Sequence, residues 1–114
     1  MNNLLVIVLT DENLLDDVLS AMVECEIPDA SILDGISMQE ILVKEVPIFA
    51  GLLLSSKSSR FVTKVILAPL ESATTATELN DVLISEQIDF TRPDVGYMFV
   101  IPVTHVIHPF EVGE

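Results

Sequence analysis

Leu4-Leu5-Val6-Ile7-Val8-Leu9, followed by Thr10-Asp11-Glu12, is the stretch from which the fold is read. The run is too short to cross a bilayer and has the right length for a strand. Being apolar at successive positions, it suits the middle of a sheet covered on both faces. Thr10-Asp11-Glu12 supplies a capping side chain and first-turn acids, so a helix is expected to begin there. Leu14, Leu15, Val18, Leu19, Met22 and Val23 then recur at helical spacing. Asp16, Asp17, Ser20 and Glu24 fall on the other side of that helix. Pro28-Asp29 breaks the pattern, and Ala30 to Leu33 reads as a short strand ending at Asp34-Gly35.

The same order returns later in the chain. Phe61 to Leu67 alternates and then runs apolar, with Lys64 on one face, which reads as a strand. Thr75-Ala76-Thr77-Glu78 has capping-box spacing, and Ala76, Leu79, Val82 and Leu83 continue as an amphipathic helix. Thr91-Arg92-Pro93-Asp94 is a turn or loop, and Tyr97 to Val103 is the last strand. Pro102 within it requires a side without a hydrogen-bonding partner or a bend. Two strand-helix-strand units give an α+β, ferredoxin-like βαββαβ domain, a four-stranded antiparallel sheet with two helices on one face. Strands apolar on both sides leave the second face in need of cover, so sheets are expected to pack together between subunits in a closed ring or trimer.

The 114 residues form one domain, 1–114, with a net charge of -13 and half of the residues hydrophobic. That charge argues against a nucleic-acid binder and against docking on anionic lipid. No apolar run is long enough for membrane insertion, and no basic flank or cleavage site suggests a signal peptide. Cys25 is the only cysteine, which fits a cytoplasmic protein. It follows the apolar stripe of the first helix between Glu24 and Glu26, where acids oppose thiolate formation, so an inert thiol is expected.

Residues 1–43 hold nine acids and no Lys or Arg, whereas Lys44, Lys57, Arg60 and Lys64 cluster further on. Lys57, Arg60 and Lys64 are candidates for an anion-attracting patch, the alternative being ordinary solvated surface. They lie in or beside the long connection 36–60, and connections of that length are commonly functional. Within it, Val46 to Leu54 is strongly apolar and is expected to be ordered and packed, with a helical turn near Ala50 to Leu54 and Phe49 as its anchor. Ser55 to Arg60 reads as an exposed turn. His105 and His108 would point to opposite sides of an extended strand, and no ligand cluster beside them completes a metal site. No P-loop, dinucleotide fingerprint or catalytic triad order is present, so an enzyme is not expected.

Gly96-Tyr97-Met98-Phe99-Val100-Ile101-Pro102-Val103-Thr104-His105-Val106-Ile107, ending in Gly113-Glu114, resembles the C-terminal strand of the PII nitrogen-regulatory signalling proteins. There a glycine turn leads into a KIFVIPVEEVIRIRTGE-like segment. The resemblance extends over nearly the whole chain in the order of strands and helices, and residues 36–60 then correspond to the partner-contacting T-loop. Gly35-Ile36-Ser37-Met38-Gln39 stands where the family has a GFGRQ-like segment, and Gln39 matches the glutamine that helps bind 2-oxoglutarate with Mg-ATP. Thr91 to Phe99 stands at the family's TGxxGDGKIF-like phosphate loop, of which Gly96 and Phe99 match while Tyr97 replaces the lysine. His108 and Phe110 stand near the positions of two phosphate-binding arginines.

The resemblance implies a homotrimeric regulator that senses a small anionic or nucleotide-like effector between subunits and acts on a protein partner, an enzyme or a transporter. Candidate ligand-binding residues are Gly35, Ser37, Gln39, Gly96, Tyr97 and His108. A triphosphate needs several cationic partners and free backbone donors, so Mg-ATP binding in the family's manner is not expected, and no other cofactor or metal is implied. The uridylylated T-loop tyrosine has no counterpart, because Tyr97 is the only tyrosine. The divalent-cation-tolerance proteins share this scaffold. The competing reading is a ligand-free trimeric interaction module that acts through its apolar connecting segment.

Overall fold

A computed structural model describes residues 1–45 and 62–108. Strand β1 (Asn3–Leu9) leads through a 3-10 turn (Glu12–Leu14) into helix α1 (Leu15–Glu24) and strand β2 (Ser31–Ile36). Helix α2 (Met38–Glu45) follows, then β3 (Val62–Leu70), α3 (Thr74–Ser85) and β4 (Gly96–Pro102). The sheet order is β2-β3-β1-β4, with every neighbouring pair antiparallel. The fold is therefore α+β with the ferredoxin-like arrangement, each strand-helix-strand unit bracketing a strand of the other.

Register shows how the pleat sorts side chains. Ile7 is opposite both Ile66 and Met98, and Leu5 is opposite Ala68 and Val100. These residues face the helices, where Leu5, Ile7, Leu9 and Ile66 are fully buried against Val18 and Met22 of α1 and Leu79 and Leu83 of α3. The alternate residues form the other face. Val6 pairs with Leu67 and Phe99, Val8 with Val65 and Tyr97, and Leu4 with Pro69 and Ile101. No residue in those three rows is charged, and Val6 at their centre is buried. Leu33, Tyr97, Phe99 and Ile101 keep between 43% and 55% of their surface exposed.

Both long helices end alike. The Ile27 amide donates to the Met22 carbonyl and the Glu26 amide to Val23; Ile88 donates to Leu83 and Gln87 to Ile84 in the same pattern. This is the Schellman arrangement, with Glu26 (φ 60°) and Gln87 (φ 66°) in the left-handed region and a buried isoleucine after each. Pro28 therefore lies beyond a helix end already made.

Helix starts differ in detail from expectation. The Asp11 carboxylate caps the first turn by accepting from the Asn13 amide at 3.1 Å. At α3 the capping box at Thr75 and Glu78 does not form, because the helix begins at Thr74, whose amide donates to Ser72 Oγ at 3.2 Å. The connection after β2 opens with α2, which pattern reading treats as irregular. Ser37 and Glu40 carry the relevant signal, since the Glu40 amide donates to Ser37 Oγ at 3.4 Å. The expected packing of Val46 to Leu54, with its Phe49 anchor, lies outside the described residues.

Candidate functional site

One end of the sheet gathers most of the residues singled out from sequence. Across it runs a row of four positions in register, Asp34, Lys64, Leu9 and Gly96. Gly35 follows Asp34 on edge strand β2, opposite Thr63. Ser37 and Gln39, both half-buried, sit at the start of α2 just beyond. Gly96 and Tyr97 open β4 on the other edge. Three inter-strand steps separate the edges, about 14 Å. Within one chain the two groups therefore share an end of the sheet, and among the described residues no cavity joins them.

Gly96 is fixed by geometry. Its φ is 130°, and a Cβ placed there would lie 1.9 Å from the Val8 carbonyl oxygen, so no larger residue fits without moving the backbone. The Thr10 amide ties the preceding loop to the end of β1 through Val95 O at 3.1 Å. Thr10 Oγ1 is buried there without a hydrogen-bond partner. Tyr97 projects from the open face with its ring 6.0 Å from that of Phe99 and nearly parallel to it. It stands opposite Val8 and beside Phe99.

Of the expected anion patch, Lys57 and Arg60 lie outside the described residues. The Lys64 ammonium is bound by Asp34 Oδ1, and this hydrogen bond raises its pKa above the ordinary lysine value, with Glu12 adding to the effect and partial burial opposing it. Lys64 thus spends its charge joining β3 to β2. The helix layer carries the opposite sign: Asp16, Asp17, Glu24, Glu78 and Asp81 are exposed, and neither α1 nor α3 contains Lys or Arg. The half-buried Cys25 thiol is pushed up by burial, then by Glu24 and Glu78, and so is disfavoured as a thiolate.

His108 is separated from the other candidates. β4 stops at Pro102, and the non-strand segment 103–108 returns towards the chain start, where the Val103 amide donates to the Asn2 carbonyl at 2.9 Å. Because this segment is not a strand, His105 and His108 do not diverge. Both line a cavity of about 340 Å³ with Met1, Asn2 and Thr104. Phe110 lies outside the described residues. Among the described residues no group of three or more His, Cys, Asp or Glu is placed to hold a metal ion, and no helix is long and apolar enough to cross a membrane.

No protein-family model matches the sequence, and no curated protein matches it.

Proposed function

We propose that this chain is a PII-like regulatory protein of the cytoplasm. Three copies associate through their open sheet faces, a small anionic or nucleotide-like effector binds in clefts between them, and the complex regulates an enzyme or transporter without itself catalysing a reaction. The observation that carries this reading is the open face, three rows of apolar residues with no charge on a chain of net charge -13. A surface of that kind marks an association site. The two candidate groups on opposite sheet edges, Gly35 with Ser37 and Gln39, and Gly96 with Tyr97, fit the same reading, since only a neighbouring copy can bring such edges together.

The test joins mass to ligand response. Sedimentation should give a trimer at micromolar concentration, and a panel of nucleotides and small anionic metabolites should contain one that raises the melting temperature, because a ligand selective for the folded state adds stability. Calorimetry with Mg-ATP should show binding far weaker than micromolar. A stable monomer would sink the proposal.

A trimeric interaction module without a ligand is the second reading. What favours it is the exposure of Ile36 (65%), Met38 (72%) and Ile41 (52%) at the entry to the connecting segment, where a partner chain could dock. A trimer that no small molecule stabilises would select it.

A further inference from the structure

The cavities of this molecule differ in the charge of their walls. The one beside Cys25 is lined by Glu26, Asp29, Glu71 and Glu78, and the notch between α1 and α3 by Asp17, Glu24 and Glu86. The groove along β4 has no charged residue. Among the described residues the cavity at the segment 103–108 has no carboxylate on its wall, and each of its polar side chains can donate a hydrogen bond: the Asn2 amide, the Thr104 hydroxyl and the imidazoles of His105 and His108. On so acidic a chain, a wall of donors without an acid is the place where an anion meets least repulsion.

The cavity is also anchored. Its two sides come from the start of β1 and the end of β4, which are paired through Asn3 and Pro102. The bond from the Val103 amide to Asn2 O holds the returning segment against that end, and Val103 and Val106 are half-buried. The nearby Glu71 carboxylate is occupied by the Met1 ammonium at 2.6 Å. A volume of about 340 Å³ lies at the lower end of the range for small-molecule sites.

We propose that this cavity binds a compact oxyanion, a phosphate or carboxylate group of a small metabolite, through Asn2, Thr104 and His105. The inference rests on the reading above for the sign of the effector's charge, and it places the site within one chain.

The test is an NMR titration of the full chain, labelled with ¹⁵N and ¹³C, at constant pH and ionic strength. Inorganic phosphate and succinate serve as separate probes, so that phosphate-type and carboxylate-type ligands are told apart. The expected result is saturable shifts confined to the His105 and His108 rings and the Asn2 and Thr104 amides. His105→Ala and Thr104→Val should each weaken binding about tenfold, the loss of one hydrogen bond to a charged group. His105→Gln, which keeps a donor, should recover part of it. Both positions are exposed, so the variants should melt like the parent when no anion is added.

Saturable shifts at Ser37, Gln39, Gly96 and Tyr97 instead would overturn this site and leave the anionic effector standing. No saturable shift at millimolar probe would overturn the site and the anionic effector together, while the trimer is judged separately by sedimentation. Small shifts spread over the whole chain would mean ionic strength alone, and would overturn the site.

Discussion

Phe99→Asp tests the open face at its centre. Phe99 lies across from Val6 and keeps 43% of its surface exposed in the single chain. A phenylalanine presents roughly 200 Å², so about 85 Å² of Phe99 is left for a partner. At about 25 cal/mol per Å² that area contributes about 2 kcal/mol for each subunit. Summed over a trimer the loss is about 6 kcal/mol, some four powers of ten in the association constant, before any cost of burying the new carboxylate. Phe99 is not part of the helix-side core, so the variant should remain folded by circular dichroism. Sedimentation velocity at micromolar concentration should show a trimer for the parent and a monomer for Phe99→Asp. Asp81→Asn, on the exposed side of α3, should leave the assembly unchanged. An unaltered trimer for Phe99→Asp would refute the assignment of this face as the contact surface.

Gly96→Ala should destabilise the fold on the order of 3 kcal/mol in urea denaturation, because a Cβ at φ 130° meets the Val8 carbonyl; a change within error would mean that β4 pairs differently. Gln87→Gly should stabilise by about 0.5–1 kcal/mol in the same assay, since glycine adopts the left-handed φ of 66° without steric cost. Lys64 has a folded pKa raised above 10.5 by its hydrogen bond to Asp34, so its contribution is present below that pH and is lost as pH rises through the folded value. Lys64→Met should therefore show less alkaline loss of stability above pH 10.5 than the parent in pH-dependent melting. Cys25, with its thiol pushed up by burial and by Glu24 and Glu78, should react with iodoacetamide at neutral pH more slowly than free cysteine, as read by mass spectrometry.

The four strands and both long helices were legible because each carries its own period: the unbroken run Leu4 to Leu9, the stripe from Leu14 to Met22, the stripe from Ala76 to Leu83. The uncovered face was legible for the same reason, since Val6 and Val8 are as apolar as Leu5 and Ile7. Helix ends were not, because Glu26 and Gln87 do by backbone strain what a glycine would have announced. Nor was α2 read as a helix, although Ser37 stands three residues before Glu40 and Met38, Ile41 and Leu42 follow at helical spacing; at eight residues the pattern is too short to stand out. The site resisted sequence reading in a different way. Adjacency in a motif does not say which sheet edge a residue occupies, so Gly35 and Gly96 could be named but not placed. Lys64 read as a free cation because its partner, Asp34, lies thirty positions away. His105 and His108 read as divergent only if the segment after β4 is extended, whereas 103–108 is not a strand.

The strand order has a consequence for how the chain is made. β1 leaves the ribosome before both of its partner strands, β3 and β4: Leu9 meets Lys64 on one side and Gly96 on the other. Once made, Leu4 to Leu9 has no native strand neighbour until Val62 to Leu70 emerges, and it lacks its second one until Gly96 to Pro102 follows. Pairing at such long separations is slow, and unpaired apolar strands aggregate. β1 is thus the strand of this sheet that waits longest for its partners. A holdase that engages Leu4 to Leu9 should raise the yield of folded protein more than one engaging a later strand of the sheet.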